Sequence, residues 1–384
     1  MPHLQRAWQE IDAEAALLAK GGAFPIWTDG GEWVTVDFAV DERGILPHHG
    51  SWMVGDLPAI LWFLATGSPE EEKHQHWRTA AKMWSERLTN RANTRSFASV
   101  SHMFFRGVLV GLATAGEESL RPLALTAART VSDRFREIGY MKSFGSPGDT
   151  TYPFTTVDDV INLTIPLWLA EQTGDAELRA AAITAIDQIA DGLIRSDGST
   201  GQVLLIGEGG QPAGVDTYQG FSASGCWSRG QAWGIYGFAT VYAQTREPRY
   251  LQVARDMARY WIEHVQDDPS PVWDFDLPAG EPVVRDSFAA SLALAGMLEL
   301  AASLPPSEAR PLRDYARTMV TRLSADYVER RPRGHGLVAD AALDVPHGHG
   351  VGSSVIVGDS YFTEAVWRLT VGEKLAGPSC LVPR

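Results

Sequence analysis

One helical pattern recurs along the chain and constrains the fold more than any other feature. In five places a turn containing Gly or Pro is followed by acidic residues and then by an amphipathic helix rich in Ala and Arg. Acidic residues in a first turn stabilise a helix N-terminus, and the apolar residues fall at the spacing of one helix face. The five segments are 66–88, 115–135, 173–194, 245–265 and 304–328.

A more uniformly apolar helix is predicted before each of these segments, at 54–65, 100–114, 157–172, 229–243 and 287–302. Helices that are apolar on all sides are buried, so buried inner helices alternate with amphipathic outer helices. Helices at 4–19 and 359–370 supply one more outer and one more inner helix, which makes six pairs. The pattern predicts an all-α fold, an (α/α)6 barrel, in which six helical hairpins form a closed ring.

The loops of such a ring are the expected place for a functional site. Long loops follow the outer helices and contain most of the 37 Gly and many of the aromatic residues, and loops on a rigid scaffold often carry function. Short strand pairs are expected on this face, at 31–38 and 201–207. We expect a single domain over 1–384, with a flexible C-terminal tail at 372–384.

Charge and hydropathy exclude two classes of partner. The chain has 33 Lys+Arg against 47 Asp+Glu, a net charge of −14, which argues against nucleic-acid binding through bulk positive charge. No segment reaches the roughly 18 consecutive apolar residues of a membrane span, so no membrane partner is expected. Glu10, Asp12 and Glu14 stand where a signal peptide would be apolar. We therefore predict a cytoplasmic protein, a monomer or homodimer.

Neither the cysteines nor the histidines form a recognised metal site. Cys226 and Cys380 are too few for a disulfide framework or a zinc site. The pairs His48–His49 and His347–His349 lack further ligands at a recognised spacing, and no nucleotide-binding glycine loop is present. No metal and no cofactor are expected. His102, on an inner helix, can be a functional residue or a hydrogen-bonded core residue.

The thirteen Trp residues either fill the core or line a groove in which they stack on sugar rings. Five lie on helix bodies and are predicted to pack between the helices: Trp62, Trp84, Trp168, Trp261 and Trp367. Four lie where loops meet inner helices and are predicted to face a sugar: Trp52, Trp227, Trp233 and Trp273.

Two adjacent carboxylates, Asp158 and Asp159, open an inner helix. Neighbouring helical residues point about 100° apart, so only one of them can face the ring interior. Asp158 shares a face with Asn162, four residues on. Partial desolvation there would raise the pKa of a carboxyl towards acid–base use. The alternative is an acidic first turn favoured by the helix dipole.

The segment 214–238 is rich in Gly, Ser and aromatic residues. Gln219 and Arg229 could hold a carboxylate or hydroxyls, and Trp233 could stack on a sugar. A packed loop with a buried Trp is the alternative. Further along, Asp286 precedes an Ala-rich helix and is predicted to be a helix cap.

Over roughly 20–372 the chain resembles the unsaturated glucuronyl hydrolase family and, more distantly, the unsaturated rhamnogalacturonyl hydrolases. TYQGFSASGCWSRGQAWGIYGF, 217–238, is similar to the family's T-H-Q-G-Y-S-D-D-S-x-W-x-R-G-Q-A-W-x-I-Y-G-F. DDVINLTIPLWLAEQTGD, 158–175, resembles D-x-M-M-N-L-P-L-L-x-W-A-x-E-x-T-G-D. VWDFDLP, RDSFAASLALAGMLEL and VGDSYFTEAVWRL match equally well.

The resemblance implies an (α/α)6 barrel and a glycoside hydrolase. Such enzymes release 4,5-unsaturated uronic acid from lyase-generated oligosaccharides by hydration of the vinyl ether. The substrate would then be an anionic oligosaccharide, and Asp158 matches the family's acid–base Asp. Several residues match or lie near substrate-binding positions of the family, or belong to the site that the resemblance implies: Trp52, Ser99, His102, Asn162, Gln202, Gln219, Arg229, Trp233, Ser353 and Ser354.

The chain departs from the family pattern at two of these positions. Ser99 takes the place of the family's second Asp, in ASVSHMFF, and Gln202 that of a family His. A glycosidase or lyase on the same scaffold, acting on a different glycoside with Ser99 and His102 shaping the site, is the alternative hypothesis. A non-catalytic carbohydrate-binding protein is a third hypothesis. The joint presence of five residues of the family pattern argues against it: Asp158, Asn162, Gln219, Arg229 and Trp233.

Overall fold

The computed structural model describes residues 2–36, 51–265, 268–328, 332–372 and 381–383. Within these ranges its helices alternate between two layers. In chain order they are α1 (Pro2–Leu18), α2 (Asp56–Gly67), α3 (His74–Glu86), α4 (Val100–Phe104), α5 (Val110–Ala115), α6 (Arg121–Ile138), α7 (Asp159–Asn162), α8 (Thr164–Thr173), α9 (Ala176–Leu193), α10 (Ser228–Thr245), α11 (Pro248–His264), α12 (Ser287–Ala302), α13 (Pro306–Leu323) and α14 (Ile356–Trp367).

The inner layer is a closed ring, as the sequence predicts. It consists of α2, α4 with α5, α7 with α8, α10, α12 and α14, and α10 packs on α12, α12 on α14, and α14 on α2. Every residue from Ser287 to Ala301 of α12 is buried. The outer layer is α1, α3, α6, α9, α11 and α13. The inner helices are apolar, but no helix within the described ranges is both long and apolar enough to cross a membrane.

Short antiparallel strands lie in the loops between the helices. Of the two predicted strand segments, the first contains β2 and the second β4, while 37–38 lie outside the described residues. The other strands were not predicted; β3 pairs with β4 from a separate loop, whereas β1, β5, β6 and β7 pair with strands close to them in the chain. The strands are β1 (Phe24–Asp29), β2 (Glu32–Val36), β3 (Phe154–Thr156), β4 (Val203–Ile206), β5 (Pro212–Asp216), β6 (Ala341–Asp344) and β7 (His349–Ser353).

The five helix-body tryptophans are fully buried between the two layers, as predicted. A buried indole N–H needs an acceptor. The Trp62 indole donates to Ser85 Oγ at 3.0 Å, and that of Trp168 donates to the Pro383 carbonyl at 2.9 Å. Leu381 is also buried. Residues 381–383 therefore pack on the barrel. Flexibility of the whole tail, 372–384, stays a prediction.

A cluster of buried charges occupies the centre of the ring. The Arg106 guanidinium contacts Asp56 (Nε to Oδ1, 3.3 Å) and Glu364, and Arg368 contacts Glu364 and Glu299 at 2.7 Å. Buried charges are tolerated when they are paired and hydrogen-bonded. The positive charge of Arg106 is therefore compensated within the core.

Candidate active site

A cavity of about 450 Å³ opens at the N-terminal ends of the inner helices. The turn before α2, the first turns of α4, α7 and α10, and the β6–β7 loop all contribute to its wall. Residues from separate loops meet there, although Trp52 and His347, the first and last of them, are 295 positions apart in the chain.

Most of the predicted site residues lie together in this cavity, and three do not. Gln202, Ser353 and Ser354 are outside its lining. The predicted residues that line it are Trp52, Ser99, His102, Asp158, Asn162, Gln219, Arg229 and Trp233.

Of the two adjacent carboxylates, Asp158 faces the cavity. It is half-buried in the turn before α7, and its Oδ1 makes no hydrogen bond to the described part of the chain. Desolvation by burial, together with the nearby charge of Asp159, raises the pKa of Asp158 to about 7, although Arg229 acts in the opposite direction. A carboxyl with this pKa can both give and take a proton near neutral pH.

Asp159 has a structural role instead. Its carboxylate accepts hydrogen bonds from Ser143 Oγ at 2.6 Å, from the Thr156 backbone N–H at 3.0 Å and from Asn162 Nδ2 at 2.8 Å. Asn162 Oδ1 accepts the His102 backbone N–H at 3.2 Å. Asp159 and Asn162 thus fix the turn that presents Asp158 to the cavity.

Arg229 is held rigidly in the cavity wall. Its guanidinium contacts Asp286 Oδ2 at 2.7 Å and the backbone carbonyls of Ala342 and Leu343, and it lies 4.4 Å from the centroid of the Trp227 ring. Asp286 caps α12, as predicted, by accepting the Ala289 N–H at 3.2 Å. Its pairing with Arg229 was not predicted, because the two residues are distant in sequence.

Gln202 acts behind the cavity. Its Oε1 accepts the backbone N–H groups of Tyr218 and Gln219 at 3.0 and 2.9 Å, and its Nε2 donates to Gln219 Oε1 at 3.1 Å. Gln219 in turn donates to the Leu343 carbonyl at 2.9 Å. Gln202 therefore shapes the loop that carries Gln219.

The two serines of the last loop also serve the fold. Ser354 is fully buried, and its hydroxyl donates to the Val338 carbonyl at 2.6 Å. Ser353 ends β7 and is largely buried. Both lie outside the residues that line the cavity.

Trp52, Trp233 and His102 form one aromatic group in the wall. The His102 ring lies edge-on to Trp52 at 5.2 Å and to Trp233 at 5.4 Å between centroids. Trp227 also lines the cavity, and its sugar-facing role stays a prediction. Trp273 does not; it packs on Phe221, with centroids 6.4 Å apart.

A second aromatic group on the cavity wall was not predicted. Phe144, Tyr152, Phe154 and Tyr218 contact one another with centroids 5.8–6.2 Å apart. The Tyr152 backbone is left-handed, with φ 55°, and the residue is 54 % exposed. Burial and the charge of Asp158 raise the pKa of Tyr218 well above its ordinary value, so its phenol stays protonated.

Asp344 and His347 were also missed as a pair. Asp344 lines the cavity while only 5 % exposed, and its Oδ1 lies 2.8 Å from His347 Nδ1. The signal in the sequence was their spacing of three residues in a loop. His48 and His49 lie outside the described residues; within those residues, no group of three His, Cys, Asp or Glu side chains is placed to hold a metal.

The characterised proteins similar to this chain are named as hydrolases of unsaturated sugars. Unsaturated glucuronyl hydrolase from Bacillus sp. (strain GL1) is 30 % identical over 377 residues, which cover 95 % of this chain and 97 % of that protein. Unsaturated chondroitin disaccharide hydrolase from Streptococcus pyogenes serotype M1 is 29 % identical over 253 residues, or 65 % of this chain and 63 % of that protein. No family model matches the chain.

A solved structure agrees over nearly the whole fold. The crystal structure of the Bacillus sp. GL1 enzyme, described as responsible for the degradation of glycosaminoglycan, superimposes with a TM-score of 0.85 at 28 % identity. The match covers 98 % of this chain and 99 % of that one.

Proposed function

The chain belongs to the unsaturated glucuronyl hydrolase family, and we propose that Asp158 is the general acid and base of its reaction. It is a glycoside hydrolase that acts on oligosaccharides ending in an unsaturated uronic acid. The observation that carries the proposal is the half-buried carboxyl of Asp158 in the cavity wall, whose pKa is raised to about 7. At neutral pH half of such groups carry the proton that the first step needs.

The reaction that fits this site is hydration of the vinyl ether. Protonated Asp158 donates its proton to C4 of the C4=C5 double bond, which leaves positive charge shared between C5 and the ring oxygen. Water then adds at C5 and gives a proton to the Asp158 carboxylate, which restores the acid. The resulting hemiketal opens between C5 and the ring oxygen, and the hemiacetal formed at C1 releases the remaining sugar. One water is consumed for each glycosidic bond cleaved.

The other lining residues are proposed to bind the substrate. Trp52 and Trp233 would pack on the sugar faces, and Gln219 and Arg229 would bind its polar groups from positions that the Leu343 carbonyl helps to fix. The N-terminal ends of the inner helices favour negative charge in the cavity. An anionic oligosaccharide is therefore the proposed partner.

Gln202, Ser353 and Ser354 are proposed to act from outside the cavity lining. Gln202 would hold the Gln219 loop, and the two serines would hold the β7 end. Ser99, the residue immediately before α4, is proposed to contribute a hydroxyl that binds the substrate. A cytoplasmic location and a monomeric or homodimeric state stay predictions.

The test is Asp158→Asn, which keeps the shape of the side chain and removes its proton transfer. Loss of the double-bond absorbance is followed with lyase-generated unsaturated disaccharides of the glucuronyl and chondroitin types, for which the relatives are named. We expect wild-type turnover and a rate at least about 100-fold lower in the variant.

Asp191→Asn is the matched control. Asp191 is an exposed carboxylate on the outer helix α9, paired with Arg249, and its replacement should leave the rate unchanged. Full activity of Asp158→Asn would refute the assignment of the acid. Cleavage of saturated glycosides alone, with no turnover of any unsaturated disaccharide, would refute the reaction type.

A further inference from the structure

A buried carboxylate–imidazole pair lies directly behind the cavity wall. Asp56, at the start of α2, is fully buried, and its Oδ2 lies 3.1 Å from Nε2 of His102 on α4. His102 is 2 % exposed and lines the cavity. The pair thus joins the charged centre of the ring to the site.

The arrangement selects one tautomer of His102. The other oxygen of Asp56, Oδ1, accepts from Arg106 Nε at 3.3 Å. A carboxylate accepts hydrogen bonds and donates none, so the proton of a neutral His102 sits on Nε2. The opposite nitrogen, Nδ1, then presents a lone pair.

That nitrogen lacks a partner in the described part of the chain. His102 Nδ1 is buried and makes no hydrogen bond there, and buried polar atoms in native proteins are usually satisfied. The edge-on rings of Trp52 and Trp233 flank His102. A sugar packed on such rings presents its hydroxyls at its edge, where an acceptor in the wall can take a hydrogen bond.

We propose that Asp56 is a positioning residue that holds His102 with Nδ1 as an acceptor for a hydroxyl of the bound uronic sugar. The proposal rests on the proposed function and adds to it the group that recognises a sugar hydroxyl. Trp52 is the half-buried member of the flanking pair, and both Trp52 and His102 line the cavity that would hold the sugar.

A purely structural role, in which the pair only ties α4 to α2, makes different predictions. His102→Gln retains a nitrogen donor near Nε2 for Asp56 and removes Nδ1. His102→Asn does the reverse, since its amide oxygen lies near the position of Nδ1. The two variants therefore separate the contact with Asp56 from the contact with the sugar.

The kinetic experiment uses the full-length chain and an unsaturated uronyl disaccharide. Loss of one hydrogen bond to a buried partner corresponds to about a 5- to 100-fold change. We expect His102→Gln to raise KM by that factor and His102→Asn to raise it less. Unchanged KM in His102→Gln would overturn the proposal. Absence of turnover by the wild-type enzyme would instead refute the proposed function.

Nitrogen NMR of the imidazole tests the same idea without a change at His102. In Asp158→Asn protein, the free His102 should be the Nε2–H tautomer, and adding the disaccharide should shift Nδ1 towards the value of a hydrogen-bonded acceptor. Asp56→Asn should mix the tautomers and weaken binding. A free protein with the Nδ1–H tautomer, or an Nδ1 signal that saturating disaccharide leaves unmoved, would overturn the proposal.

Discussion

Replacing Asp158 by Asn should stabilise the protein at alkaline pH while it removes the activity. The pKa of Asp158 rises from an ordinary 3.8 to about 7 in the folded chain, chiefly because burial penalises the ionised form. The folded state therefore binds this proton more tightly than the unfolded state does. Its contribution to stability is greatest below pH 3.8 and is lost as the pH rises through 7.

The magnitude follows from the two pKa values. One pKa unit corresponds to 1.36 kcal/mol, so ionised Asp158 destabilises the fold by about 4 kcal/mol above pH 7. At pH 5 the same linkage gives about 1.6 kcal/mol. The stability difference between Asp158→Asn and the wild type should therefore grow by about 2.5 kcal/mol from pH 5 to pH 8.

Urea denaturation at several pH values measures this difference. Other titrating groups are common to both proteins and cancel in the comparison, and Asp191→Asn should show no such trend. A difference between Asp158→Asn and the wild type that stays constant from pH 5 to pH 8 would show that the Asp158 carboxyl is not desolvated. Asp158 would then lack the raised pKa on which its proposed catalytic role depends.

Two further outcomes follow from the same groups. Because Asp158 must be protonated to donate to C4, kcat/KM should fall about tenfold per pH unit above pH 7, and a profile flat to pH 9 would contradict this. Arg106→Met leaves Asp56 and Glu364 without the guanidinium that both contact, so the free energy of unfolding measured in urea should fall by about 3–5 kcal/mol. An unchanged urea midpoint would show that these ion pairs do not stabilise the cluster.

The ring of hairpins could be predicted from the sequence because each helix carries its own periodicity. The uniformly apolar α12 and the amphipathic α11 differ in their patterns, and that difference alone places one inside and the other outside. The cap at Asp286 is equally local. The strands β6 and β7 carry no such local signal.

The site could be predicted only in part, because its geometry depends on loops that meet in space. The sequence predicted that only one of Asp158 and Asp159 faces the cavity. The hydrogen bonds that hold Asp159 show that this residue is Asp158. Sequence reasoning missed Asp344, whose place in the cavity depends on the β6–β7 hairpin. It also missed Asp56, since a lone acidic residue before an apolar helix resembles an ordinary first turn.

The sixth hairpin of the ring differs from the others because α14 and α1 come from opposite ends of the described chain. The other inner–outer pairs are joined by a loop and can form as soon as both helices have been synthesised. This pair must wait for α14, after more than 300 residues of chain have already been made. Barrel closure is therefore a late, non-local step, and the chain reaches its cooperative fold only once the last inner helix has left the ribosome.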